Sequence, residues 1–188
     1  AGAGRGTSSA DVARSSDLVI TMLPNSPHVK AAVLGKDGVL DGLRPGSVLA
    51  DMSSINPIAS REICLEVEKK GSLMLDAPVS GGEPKAIEGT LAIMVGGKQD
   101  VFDRVKDVLQ VMGKSVTLCG DIGAGNTTKL ANQIIVAANI ASVSEALMLG
   151  VKAGVRPEAI YSAIRAGLAG STVMDAKAPM MMDGNFKP

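Results

Sequence analysis

Lys129 is the residue of this chain best suited to moving a proton. It follows the glycine-rich run GDIGAG (120–125) by one turn of an expected helix, and Asn132 and Gln133 lie three and four positions further on, hence on the same face. Positions 130, 131, 134, 135 and 136 are all apolar. An ammonium group among such neighbours loses water, its pKa falls, and it becomes usable as a general acid or base near neutral pH. The bland alternative is a lysine that snorkels to solvent. The adjacent amides add weight to the chemical reading, because they can position an uncharged polar group of a substrate.

A second constellation is DAPVSGG (76–82). Ser80 brings a hydroxyl and its own N–H, and Gly81 and Gly82 let the backbone approach a ligand closely. Such a cluster of donors can hold a carboxylate; a plain Gly-Gly turn between strand and helix has the same spacing. Ser80 as a covalent nucleophile is the poorer reading, since there is no G-x-S-x-G elbow and the only histidine, His28, would have to serve as base. Asp51 and Asp76 each end an apolar run and read as acid/base groups or as loop-capping carboxylates. Acidic residues and the single histidine show no metal-ligand spacing, so no metal site is expected. The opening AGAGRG is glycine-rich but follows no strand, so a linker or strand-edge loop is expected rather than a phosphate cradle.

These residues need a scaffold, and the hydrophobic pattern supplies one. Apolar runs at 17–23, 47–52, 73–76, 91–95 and 116–119 read as strands, with helices up to Leu34, over 57–70 and over 99–112, where Phe102, Val105, Leu109 and Met112 form a stripe. The alternation is that of an α/β sheet. Leu23-Pro24, Ser53-Ser54 and the 77–82 segment then fall at strand ends, where open parallel sheets bind ligands. Beyond Gly120 the pattern becomes all-helical, with a long helix over 126–153 and shorter ones over 157–166 and 172–182, where Met180–Met182 reads as core filler. The expected division is an α/β domain, 1–121, and an all-helical domain, 122–188.

Composition narrows the partners. Of 188 residues 46% are hydrophobic and 20% charged, and nineteen basic side chains balance nineteen acidic ones, so nothing marks the chain for nucleic acid or an anionic membrane. One tyrosine, two phenylalanines and no tryptophan leave little for stacking on bases. Cys64 and Cys119 form no CxxC pair, which suits a reducing cytoplasm. The most apolar run, 134–149, is interrupted by Asn139, Ser142 and Glu145, so no membrane span is expected, and no signal peptide is evident.

TMLPNSP, DMSSINP, DAPVSGG and GDIGAGNTTKLANQ occur in this order, and together they resemble the β-hydroxyacid dehydrogenase family. The resemblance implies a nicotinamide cofactor, NAD or NADP, and a metal-independent reaction on a small carboxylic acid with a β-placed hydroxyl or carbonyl. Lys129 would be the general acid/base, and Ser80, Gly81 and Gly82 would hold the substrate carboxylate. Asn132 and Gln133 would hydrogen-bond the substrate near the reacting carbon; many relatives have a second Asn at the latter position, which leaves open which amide makes the contact. Leu23, Pro24 and Ser53 would contact the cofactor, with His28 a further candidate from the same turn. The implied fold is a partial Rossmann-type parallel sheet, lacking its first strands and GxGxxG turn, followed by an all-helical domain entered through a long interdomain helix. The chain is therefore expected to be an internal piece of a cytoplasmic enzyme that is homo-oligomeric at full length, with the apolar 17–23 strand exposed at a sheet edge. EPKAIEGTL, beyond the substrate loop, tilts the substrate toward tartronate semialdehyde; 3-hydroxyisobutyrate, or a non-catalytic module that kept the fold, are the alternatives.

Overall fold

In the computed structural model, which describes residues 2–186, α1 (Ser9–Arg14) leads into β1 (Leu18–Thr21), α2 (Ser26–Leu34), α3 (Val39–Gly42) and β2 (Val48–Asp51). There follow α4 (Pro57–Lys69), β3 (Leu73–Asp76), the two-residue β4 (Val79–Ser80), α5 (Gly82–Ile87), β5 (Leu91–Gly96), α6 (Gln99–Met112) and β6 (Gly113–Gly120). The rest is helical: α7 (Ala124–Lys152), α8 (Pro157–Ile164) and α9 (Thr172–Met182). Each strand expected from the apolar runs is present: the first two are trimmed at both ends, the third matches, and the last two run longer, to Gly96 and over Gly113–Gly120. Residues 2–6 belong to no helix or strand and are exposed.

The sheet is parallel within two groups and antiparallel where they meet. β1, β2 and β3 are parallel neighbours, in register Leu18↔Val48 and Val48↔Leu73. β5 and β6 are likewise parallel. Between the groups, β3 touches β5 at Asp76↔Gly96 and β4 pairs with β5 at Val79↔Ile93 and Ser80↔Ala92, both antiparallel. The expectation of a parallel sheet needs this correction at the junction. A parallel crossover needs a long connection, usually a full helix. Here part of the connection is spent on β4, which is itself paired with β5, and α5 is only six residues long, so the chain folds back.

β2 and β3 are apolar along their length because both faces are covered. Leu49 and Met74 join Val19, Ile63 and Val67 on one side, while Val48 and Leu75 join Ile93, Val95, Phe102 and Leu109 on the other. Each such buried side chain contributes about 1.5–3 kcal/mol relative to exposure. α6 docks through the expected stripe, with Phe102, Val105 and Leu109 buried and Met112 partly so. β1 ends the strand order on its side, and Ile20 and, just beyond the strand, Met22 are exposed there.

The chain packs as two units, Ala1–Leu130 and Ala131–Pro188. In the second unit Leu147, Met174 and Ala178 form a small core, with Ile160, Met181 and Met182 packed against it. By length and composition alone α7 could cross a membrane, which the sequence expectation had excluded on account of Asn139, Ser142 and Glu145. Two of those interruptions are softened locally. Asn139 Nδ2 donates to the Ile135 carbonyl at 2.9 Å and Ser142 Oγ to the Ala138 carbonyl at 2.8 Å, so their polarity is turned back onto the helix.

Candidate functional site

Three strand ends meet the expected ligand edge of the sheet, and hydrogen bonds tie them together. Leu23 N–H donates to Ser53 Oγ at 2.8 Å, joining the turn after β1 to the turn after β2. Ser53 is fully buried, so this hydroxyl holds the Leu23 main chain, while Leu23 is half-buried and Pro24 exposed. His28 lies exposed on the first turn of α2, bonded through Nδ1 to Asn25 Oδ1.

Ser80 closes β4 and is half-buried, and the next two residues have backbone conformations that favour glycine. Gly81 has φ 140° and Gly82 φ 66°. A Cβ on Gly81 would lie 2.6 Å from Lys85 Cβ, so the lysine stem occupies the space a side chain would need. Ser80 and Gly81 are half-buried and Gly82 is exposed, so the loop narrows to main chain where two positive φ angles exclude larger side chains.

Lys129 is half-buried on α7, and loss of hydration pushes its pKa below the ordinary lysine value. Further along the helix, Asn132 Nδ2 donates to Gln133 Oε1 at 2.9 Å. Among the described residues no hydrogen bond joins Lys129 to Ser80, Gly81 or Gly82.

The deepest part of the site is a row of buried polar groups, in which Thr21 joins the two carboxylates expected at strand ends. Thr21, Asp51 and Asp76 end β1, β2 and β3 and are neighbours in register. Thr21 Oγ1 donates to Asp51 Oδ1 at 2.8 Å, and Ser53 N–H reaches the same oxygen at 3.2 Å. Asp51 Oδ2 has no partner among the described residues. Asp76 accepts two main-chain N–H groups, Gly123 on Oδ1 at 2.6 Å and Asn126 on Oδ2 at 2.7 Å. It is thus a capping carboxylate, satisfying donors that the start of α7 would otherwise leave unpaired.

Burial is the largest influence on both carboxyl groups and pushes their pKa values up; hydrogen bonds oppose it, and at Asp51 the neighbouring Asp76 adds to the rise. A folded value above the unfolded one, about 4, means that the folded state binds the proton more tightly. The resulting stabilisation is full at low pH and is lost as pH rises through the raised values. Asp51→Asn keeps the Oδ1 acceptor and removes the charge, and is predicted to flatten that loss. The measure is the difference in thermal midpoint between pH 3 and pH 7, in wild type and variant. Superimposable pH profiles would remove Asp51 from the account.

The sequence model for the NAD binding domain of 6-phosphogluconate dehydrogenase matches residues 1–120, and that for the NAD-binding region of NADP-dependent 3-hydroxyisobutyrate dehydrogenase matches residues 123–188. The 2-hydroxy-3-oxopropionate reductase of Escherichia coli strain K12 is 44% identical over 177 residues, covering 94% of this chain and 61% of the relative. The chain belongs to the β-hydroxyacid dehydrogenase family. Other β-hydroxyacid dehydrogenases align over the same span. Human mitochondrial 3-hydroxyisobutyrate dehydrogenase is 38% identical over 180 residues, 95% of this chain and 54% of its own length. A 3-hydroxyisobutyrate dehydrogenase of Mycobacterium tuberculosis, solved with L-serine, superposes with a TM-score of 0.87 at 31% identity, covering 97% of this chain and 64% of that one. The chain thus spans little more than half to three fifths of the length of these curated β-hydroxyacid dehydrogenase relatives.

Proposed function

We propose that this chain carries the proton-transfer and carboxylate-binding groups of a nicotinamide-dependent dehydrogenase that reduces tartronate semialdehyde to glycerate. The observation that carries the reading is Lys129. It is half-buried, its pKa is lowered by lost hydration, and its helix starts on the strand end that leads into Ser80, Gly81 and Gly82.

Leu23 and Pro24 would hold NAD or NADP, with Ser53 acting through the Leu23 N–H it accepts and His28 contributing from the same turn. The residues present fit one side of such a cofactor. Parallel strand ends open there, and a cavity of about 220 Å3 runs along the same edge, lined by Thr21, Met22 and Leu23 among others. A bound reduced nicotinamide supplies the hydride. Lys129, protonated, gives its proton to the substrate carbonyl oxygen as that oxygen gains charge. The Ser80 hydroxyl and the N–H groups of the 80–82 loop hold the substrate carboxylate, and Asn132 and Gln133 hydrogen-bond the substrate near the reacting carbon.

The choice of tartronate semialdehyde is supported by the higher identity to the bacterial 2-hydroxy-3-oxopropionate reductase than to the human 3-hydroxyisobutyrate dehydrogenase. The broader class is supported by the relative solved with L-serine, itself a β-hydroxy acid. Homo-oligomer formation belongs to the same proposal, because Ile134, Ile135 and Leu149 of α7 are exposed. The unpaired Cys64 and Cys119 are compatible with the proposed cytoplasmic setting.

The test follows NADH and NADPH absorbance with tartronate semialdehyde, and cofactor reduction with 3-hydroxyisobutyrate, on material whose oligomeric state is measured by sedimentation. The expected kcat/KM for the semialdehyde exceeds that for 3-hydroxyisobutyrate by roughly tenfold or more. The reverse preference would move the substrate assignment. No reaction with either acid would remove the reading, and a strict monomer would remove the oligomer.

A further inference from the structure

We infer that Asp76 and Asn126 are positioning residues, which lock the helix bearing Lys129 onto the strand that leads into the Ser80–Gly82 loop. The inference rests on Lys129 being the proton-transfer group and adds the residues that aim it.

Asp76 ends β3 and is fully buried, and the substrate loop begins four residues later. Its two oxygens take the Gly123 and Asn126 N–H groups at 2.6 and 2.7 Å, so both arms of the carboxylate are committed to the start of α7. Asn126, 1% exposed, carries the connection on to a third segment. Its Oδ1 accepts Ile55 N–H at 2.9 Å and its Nδ2 donates to Ser60 Oγ at 3.1 Å, reaching the turn after β2 and the first turns of α4. The helix start therefore has no room to shift along or turn about its axis without breaking several buried hydrogen bonds at once. Lys129 is three residues beyond Asn126, one helical turn away, so its Cα is fixed by the same set of bonds. None of the groups in this lattice is free to act on a substrate, since each has its polar atoms engaged. Their service is to the placement of Lys129 relative to the loop.

Asn126→Ala tests this without changing any charge, by cutting the links to Ile55 and Ser60 while leaving the main-chain bond to Asp76. The first readout is the titration of Lys129, followed through the ε-carbon shifts of 13C-labelled lysines. The midpoint should rise toward the ordinary value of about 10.4 as the turn loosens and the ammonium regains water. The second is turnover: kcat should fall on the order of 10–100-fold while KM for the acid stays within about threefold, because aim rather than binding is lost. Ser60→Ala removes a single bond of the lattice and serves if the first variant does not fold; it should move both readouts in the same direction by less. Folded variants that lose thermal stability, yet keep the wild-type Lys129 titration and kcat, would overturn the inference and leave the lattice a purely structural device. If the wild type shows no turnover, the reaction proposed above fails, and the Lys129 titration alone decides between positioning and structure.

Discussion

Lys129→Ala should lower kcat/KM for the acid on the order of 10³-fold while leaving the fold intact. The side chain is half-buried and, among the described residues, makes no hydrogen bond or ion pair, so removing it takes away chemistry rather than a structural contact. Lys129→Arg sharpens the point, because a guanidinium keeps the charge but cannot give up its proton at any working pH. If Lys129 only attracted an anionic substrate, the arginine variant would retain activity; as a proton donor it should be nearly as inactive as the alanine variant. The pH dependence follows from the lowered pKa. Reduction needs the ammonium, so its rate should fall as pH rises through a value below the ordinary lysine range, whereas the reverse oxidation should rise through the same value. Initial rates in both directions across pH 6–10 provide the check. A non-catalytic module that kept the fold would be indifferent to both substitutions in every binding assay.

The second large effect is structural. A Cβ built on Gly125 would stand 2.4 Å from the Met94 carbonyl oxygen, 2.6 Å from that of Asp76 and 2.9 Å from Gly96 N. All three are main-chain atoms of the sheet, which cannot rotate away as a side chain could. Gly125→Ala must therefore lift α7 off β3 and β5, straining the Asp76 bonds to Gly123 and Asn126. The expected cost is about 3 kcal/mol or more, or roughly a 10 °C fall in the thermal midpoint. Gly4→Ala is the control, since a Cβ there meets open space. Equal midpoints for the two variants, measured by circular dichroism, would contradict the close packing of this helix start.

Much of the candidate site was legible before any coordinates. Lys129 declared itself through its apolar neighbours, and Ser80, Gly81 and Gly82 through their place after a strand. The strand positions followed from continuous apolar runs, which double-sided burial dictates. What could not be read was direction and pairing. An apolar run says nothing about which way its strand points, so the antiparallel contact of β4 with β5 was invisible. Asp76 was recognisable as a carboxylate at a strand end, but its partners lie 47 and 50 positions away and no local pattern names them. Ser53, which the family resemblance assigns to the cofactor, is fully buried, and its hydroxyl accepts Leu23 N–H, a bond between two turns that no local pattern names. The short helices α1, α3 and α5 carry too few turns for a periodicity to emerge.

The reversal of chain direction at the sheet junction also acts as a ruler. Because β3 and β4 both lie against β5, the stretch from Asp76 to Ser80 runs on as extended chain, and its length of about 13 Å separates the buried cap from the substrate loop. A ruler of this kind tolerates replacement of its divisions but not a change in their number. One residue added or removed between Asp76 and Ser80 would turn the serine to the opposite face and break its register with Ala92. Substitutions between these two positions can accumulate in this interval during divergence; insertions and deletions cannot.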